Sequence, residues 1–260
     1  MKKYVLSTIV AALSSTALMA GGDIAPVEPV VVEEVVSDEW NFQFSPMFLW
    51  AQSIDGDSTV GPVTSPIVID FGDAIEDMDM AFTLHFEANK GDWTLFTEYQ
   101  YVLIRPTQEI SNVASMTIDF RSYIFELGGG YTFNRSERST WQGIGGIRYT
   151  KQKLKTTLNP VGATPIDVSE DWTDGFVGVR NAYKMSDNWT LISRADIGAG
   201  GSDFVWNASI IADYRFNEWG SAFIGYRAIG YDYDNGEAGL NAYAYDATQK
   251  GPLVGLNIHW

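Results

Sequence analysis

Side chains suited to acid–base chemistry near neutral pH are scarce in this chain, which has two histidines, His85 and His259, and no cysteine. Thr83, His85 and Glu87 place an alcohol, an imidazole and a carboxylate at alternate positions. That order suits nucleophilic catalysis only if the base reaches the nucleophile within a hydrogen bond. Alternate residues of an extended strand stand about 7 Å apart, too far for easy direct contact. Asp77 and Asp79 end the acid-rich run DFGDAIEDMD at 70–79, and such a pair could activate water beside a histidine. His85 lies six residues beyond Asp79, which is about 20 Å along a strand. His259 falls at the opposite end of the strand pattern. DGDSTVG at 55–61 and the 70–79 run could attract calcium, but neither has EF-hand spacing, and acidic loops are usually solvated. There is no phosphate loop, dinucleotide fingerprint or basic aromatic stripe. These residues predict no catalytic site, no cofactor and no metal, with His85 satisfied by interior carboxylates and His259 incidental.

Composition bounds where such residues can sit. MKKYVLSTIVAALSSTALMA, residues 1–20, has the layout of a signal peptide, with two lysines, a short apolar run and small residues before a processing site. Residues 21–39, rich in proline, valine and acids, predict an extended linker. Residues 40–260 suffice for one large domain. The chain carries 17 cations and 33 acids; without Lys2 and Lys3, 15 cations face 33 acids and the net charge is −18. So acidic a chain is not expected to seek nucleic acid or anionic lipid as a basic patch would. Aromatic residues at 14% argue against disorder. No apolar stretch approaches the roughly 20 residues of a membrane helix.

Periodicity supplies what hydropathy does not. In WNFQFSPMFLWAQS, Trp40, Phe42, Phe44, Phe48 and Trp50 share one face, while Asn41, Gln43 and Ser45 share the other. In MDMAFTLHFEA, Met80, Phe82, Leu84 and Phe86 oppose Asp79, Thr83, His85 and Glu87. In WTLFTEYQYVL, Trp93, Leu95, Tyr99, Tyr101 and Leu103 oppose Thr94, Glu98 and Gln100. Seven further strands follow at about 117–132, 141–153, 172–184, 189–200, 203–216, 220–232 and 248–260. Links at 89–92, 133–140, 185–188 and 217–219 are short and polar; those at 54–77, 105–116, 154–171 and 233–247 are longer. A globular sandwich would have shorter and less regular strands. Alternating strands of roughly ten residues, with short turns at one end and long loops at the other, are the transmembrane pattern. A sheet in hydrocarbon must close, because an unpaired edge costs several kcal/mol per group. The fold class is therefore all-β, a ten-stranded antiparallel transmembrane barrel, or eight-stranded if two weaker segments belong to loops.

The same parity sorts the large and charged residues. Trp40, Trp93, Tyr131, Trp141, Tyr183, Trp189, Phe216 and Trp260 fall at strand ends beside the short turns and predict one membrane-interface girdle. Tyr101, Tyr149, Trp206 and Tyr243 can supply the opposite one. Glu87, Glu98, Glu126, Arg148, Arg180, Arg194, Asp196, Asp213, Arg215 and Arg227 point inward, since an arginine facing mid-membrane lipid costs about 2–4 kcal/mol. Glycines at 128, 130, 146, 178, 198, 225 and 255 share that face and leave room for long side chains. A lumen largely plugged by salt bridges is expected, with a small pore lined by solvated charges as the competing arrangement. Ile118 and Phe120 differ in parity from Tyr123, Phe125 and Leu127. Either a β-bulge near Ser122 or a strand standing partly above the membrane reconciles them.

GGIRY at 145–149, GVR at 178–180 and GYR at 225–227, with ELGGGYTF at 126–133, RADIGAG at 194–200 and DYRF at 213–216, resemble a widespread family of small outer-membrane β-barrel proteins of Gram-negative bacteria. The resemblance implies a barrel in the cell outer membrane, with the linker in the periplasm. It further implies surrounding lipid and lipopolysaccharide, help from the barrel-assembly machinery during insertion, and a monomeric state. Trp260 then looks like the terminal aromatic that this machinery recognises. The resemblance implies little about activity; the expected role is non-enzymatic, structural or surface-interacting, and the alternatives are a small porin and, behind it, an outer-membrane protease or lipid-modifying enzyme. Omptin proteases also have ten strands, with Asp/Asp and Asp/His pairs near the extracellular rim. Asp77 and Asp79 make a similar first pair, and the distance to His85 breaks the second.

Overall fold

Period-two alternation leaves each strand one apolar and one polar face, and the chain buries the polar faces together inside a closed sheet. The computed structural model describes residues 38–111, 114–159 and 167–260; the expected signal peptide, 1–20, and residues 21–37 of the expected linker lie outside them. The strands are β1 (Asn41–Trp50), β2 (Ser53–Val60), β3 (Val63–Ile69), β4 (Met78–Lys90), β5 (Trp93–Ile104), β6 (Thr107–Ser111), β7 (Ala114–Arg135), β8 (Ser139–Asn159), β9 (Asp167–Lys184), β10 (Trp189–Gly200), β11 (Phe204–Arg215), β12 (Gly220–Asp234) and β13 (Tyr243–His259). A short helix, α1 (Phe71–Glu76), precedes β4.

Ten strands form the barrel in the order β1-β4-β5-β7-β8-β9-β10-β11-β12-β13, and β13 pairs with β1 to close it. All pairings are antiparallel. The seam is tied by reciprocal bonds, Phe42 N–H to Trp260 O at 2.9 Å and Trp260 N–H to Phe42 O at 3.1 Å. The expected ten-stranded closed barrel is the one observed. Among the described residues no helix is long and apolar enough to cross a membrane. The β4–β5 hairpin turns tightly because Gly91 adopts a φ of 61°, a left-handed conformation that costs glycine nothing.

The outer face carries an uncharged band that includes Phe82, Leu84, Phe86, Leu95, Phe125, Leu127, Ile147, Val177, Val179, Ile210, Ile224, Val254, Leu256 and Ile258, all exposed. Trp40, Trp93, Tyr131, Trp141, Tyr183, Trp189, Phe216 and Trp260 are exposed at the short-turn ends. Neighbouring rings meet there, Trp93 with Tyr131 at 4.9 Å and Trp189 with Tyr214 at 5.0 Å.

Three details differ from the sequence expectations, and for β7 the second of its two expected arrangements is the one observed. The long links carry strand structure: β2 and β3 form a hairpin whose β2 pairs with the upper half of β13, from Tyr243↔Val60 to Lys250↔Ser53. β7 and β8 run 22 and 21 residues, well beyond a membrane's thickness. Trp50, expected on the lipid face, is 3% exposed and lies inside. The β1–β13 register shifts between Met47 and Leu49, just after Pro46, and a bulge inverts the parity of everything beyond it. The side chain of Phe48 lies outside the described ones. β7 needs no bulge at Ser122, because its register with β5 and β8 is unbroken from Phe120 to Tyr131. Phe120, Ser122 and Ile124 therefore face inward, and the strand simply continues above the membrane. Tyr243 is buried inside the barrel, not in a girdle. Alternation along β13 puts it on the same side as Gly255.

Candidate functional site

Inward-facing residues of seven strands meet at mid-barrel in one ion-pair layer. β7 contributes Glu126 and β8 contributes Arg148, direct cross-strand partners, and both are fully buried. Arg148 donates from Nε to Glu126 Oε1 at 2.7 Å and from Nη2 to Asp196 Oδ1 at 2.8 Å. Arg194 closes a ring with the same two acids, at 2.7 Å to Asp196 Oδ2 and 2.9 Å to Glu126 Oε2. Arg227 reaches Glu126 Oε1 at 3.2 Å, Asn207 Oδ1 at 2.8 Å and, more closely, Glu98. Arg180 grips Glu87 with two donors at 2.5 and 3.1 Å and Gln142 with a third at 2.8 Å. Four arginines thus meet four carboxylates. His85 lies between two of them, Nε2 at 3.5 Å from Glu87 and Nδ1 at 3.3 Å from Glu98.

Aromatic rings support this layer. The Arg148 and Arg194 guanidiniums sit 5.0 and 5.3 Å from the Phe176 ring centre, Arg194 is 5.5 Å from Phe96, and Arg227 is 5.1 Å from Trp50. Two of the inward glycines make room for these rings. A Cβ on Gly128 would stand 2.5 Å from Phe96 Cζ, and one on Gly146 would stand 3.0 Å from Phe176 Cζ and 2.3 Å from the Leu127 carbonyl.

Above the layer, Trp50, Phe120, Ile124, Trp172, Tyr231, Tyr233, Tyr243 and Tyr245 fill the barrel with a buried aromatic core. Trp172 stacks on Tyr233 at 4.0 Å, and the Tyr243 hydroxyl donates to Gln152 at 2.6 Å. Below it, toward the short turns, is a cavity of about 320 Å³ whose walls include His85, Glu87, Arg180, Arg194 and Asn257.

Two residues expected in the charge network stand apart from it. Asp213 accepts hydrogen bonds from Ser221 and Asn257, each at 2.7 Å. Arg215 is exposed at the β11–β12 turn and donates to the carbonyls of Asn217 and Glu218 at 3.2 and 2.7 Å. It is the last residue of β11, where inward no longer means enclosed. Conversely, Asp174 is fully buried and accepts from the Ser202 N–H at 2.8 Å. Sequence reasoning passed over it, although parity with Arg180 on β9 would have placed it inside.

The structure also forms a histidine–serine contact, at His259 and not at His85. Ser221 Oγ lies 3.2 Å from His259 Nε2 and donates to Asp213 Oδ1. In a hydrolytic triad the imidazole stands between serine and acid. Here the serine stands between them and is fully buried. Only the cross-strand register Ser221↔Asn257 reveals this cluster. Asp79, one of the two paired acids, is instead bound by Arg105. Among the described residues no three histidine or acidic side chains converge as metal ligands.

No family model matches the chain, and no curated protein matches its sequence. Among solved structures, the barrel is similar to the outer membrane protease OmpT from Escherichia coli, with 8% identity over 86% of this chain and 97% of that one and a TM-score of 0.50. It also aligns with the translocator domain of the autotransporter NalP from Neisseria meningitidis, at 11% identity, 84% and 86% coverage and a TM-score of 0.44. Ail, the attachment invasion locus protein of Yersinia pestis, aligns at 10% identity, 86% and 99% coverage and a TM-score of 0.36. The chain has an outer-membrane β-barrel fold.

Proposed function

We propose that the chain is an integral barrel of a Gram-negative outer membrane with a non-enzymatic role, structural or in surface interaction, exerted through the strands that rise above the membrane. The observation that carries this reading is the blocked lumen. A solute entering from the short-turn side meets the arginine–carboxylate layer, and beyond it the aromatic core. Displacing even one buried ion pair would leave an uncompensated charge, which makes the layer a poor gate. The charge-free outer band and the aromatic girdle support a lipid environment. The short turns then face the periplasm, and β2, β3 and the upper parts of β7 and β8 face outward. Refolded into planar bilayers, the full chain should give no discrete conductance steps, and the same preparation should hydrolyse neither peptide nor phospholipid. Stable steps would favour the small-porin alternative, and turnover lost in His85→Ala would favour an enzyme.

Barrel assembly enters the same reading. Trp260 exchanges two backbone hydrogen bonds with Phe42 and lies 5.8 Å from its ring, so the residue proposed as the assembly signal also fastens the seam. Deleting Trp260 should sharply lower the level of protein in the outer membrane, measured by fractionation and immunoblot. Normal levels of the truncated chain would remove the assembly role.

A further inference from the structure

The outer face of β8 changes character just beyond the lipid-facing band. Thr150 and Gln152 are buried and Leu154 packs on the interior core, so Lys151, Lys153 and Lys155 point outward in succession beyond Tyr149. On β7 their cross-strand partners are Tyr123, Arg121 and Asp119. Tyr123 lies 4.9 Å from Tyr101 on β5, and with Tyr149 these rings form an aromatic belt at the height expected for lipid headgroups. Five of the 17 cations of a chain with net charge −16 thus gather on β7, β8 and the connection just after β5: Arg105, Arg121, Lys151, Lys153 and Lys155.

The acids nearby are mostly engaged. Asp119 accepts two bonds from Arg121, at 2.7 and 2.9 Å, and one from Arg105 at 3.1 Å. Asp79 is held by Arg105, and Asp171 faces Lys151 at 3.5 Å. Asp167 stands opposite Lys155. Lys153 has Arg121 on one side and Ser169 on the other, and it makes no ion pair among the described residues. Two cations directly opposite each other on a sheet repel, as do like charges repeated along one strand face. Asp119 offsets part of that repulsion through Arg121, and an anion placed between Arg121 and the unpaired Lys153 would offset the rest. At headgroup height, above the exposed apolar side chains of Phe125, Leu127 and Ile147, such an anion would belong to a lipid whose acyl chains lie along the band below.

We propose that Arg121, Lys151 and Lys153 form a binding site for the phosphate of a phosphorylated lipid in the outer leaflet. The proposal rests on the barrel standing in such a leaflet. Phosphate suits the site because it accepts several charge-assisted hydrogen bonds at once, from an arginine fork and from mobile ammonium groups.

The test is native mass spectrometry of the refolded full chain titrated with bisphosphorylated lipid A, dephosphorylated lipid A, or inorganic phosphate. One bisphosphorylated lipid should be retained. Binding should weaken about tenfold or more in Lys151→Gln/Lys153→Gln, the loss expected from one or two charge-assisted contacts. Lys153→Arg should keep it, as should Lys90→Gln at the periplasmic end. Equal retention of the dephosphorylated lipid, or undiminished binding by the double glutamine variant, would overturn the site. Retention of inorganic phosphate alone would also overturn it, because the ligand would then be a soluble anion. A heat-modifiable, non-conducting barrel that is indifferent to lipid phosphate would refute this site and leave the proposed function standing.

Discussion

Glu126→Gln is expected to cost the barrel about 3–5 kcal/mol of stability, the range found when one partner of a buried ion pair is removed. It should appear as a lower urea midpoint for the protein refolded in lipid vesicles. Glu126 is the acid shared by three arginines, with Arg148 at 2.7 Å, Arg194 at 2.9 Å and Arg227 at 3.2 Å. An amide keeps one acceptor oxygen and removes the charge, leaving Arg148 fully buried with only Asp196 beside it. Arg148 is fully buried and does not line the cavity below the layer, so water cannot relax around its stranded guanidinium as it would at an exposed site. Cohesion of the layer makes a second result follow. Arg148→Met should cost less in the Glu126→Gln background than in the wild type, because the variant arginine is already short of a partner. Strictly additive losses would show that the layer is a set of independent pairs.

Membership of this layer was largely legible in the sequence, and its wiring was not. A parity count places Glu98, Glu126, Arg148 and Arg227 on one face of their strands, and facing lipid would be costly for each. It cannot say that Arg227 reaches across the lumen to Glu98, 129 positions away in sequence, because that depends on the stagger between strands distant in sequence. Trp50 illustrates a different limit. Parity carried through Pro46 assumes a regular strand, and one irregular step before Leu49 turns the ring inward against Arg227. The same holds for the upper strands. Stretches such as LKTTLN and DVSED have no lipid-facing apolar side, so they read as loops, yet they continue the ladder above the membrane, where the outer face can be polar while Leu154 and Val168 still pack on the core. The Ser221–His259 contact was hidden for a third reason, since neither residue has a signal in its own strand.

Phe176→Ala should be the most damaging purely apolar change, at about 3–5 kcal/mol, again read as a fall in the urea midpoint. The ring is buried at mid-barrel with Phe96 and Ile144. Three structural features converge on it. Gly146 opposes it without a side chain, since a Cβ there would approach within 3.0 Å of Phe176 Cζ. Phe96 meets it at 6.4 Å between centroids. Two guanidiniums lie over it, Arg148 at 5.0 Å and Arg194 at 5.3 Å. A pair of like-charged groups on one ring is tolerable because each is also bonded to Glu126 and Asp196, and the π face offers partial negative charge where no further carboxylate fits. Truncation to alanine opens a cavity beneath both and removes that face. Phe176→Leu separates the two losses, keeping most of the apolar volume while giving up the cation–π attraction, and should cost about 1–2 kcal/mol. Equal effects of leucine and alanine would mean that the ring acts through electrostatics alone. A leucine variant as stable as wild type would mean that it acts only as filler. Conductance should stay silent in both variants, because Trp172, Tyr231, Tyr243 and Tyr245 close the lumen independently one level higher. Packing at mid-barrel therefore sets stability, while closure is held twice over.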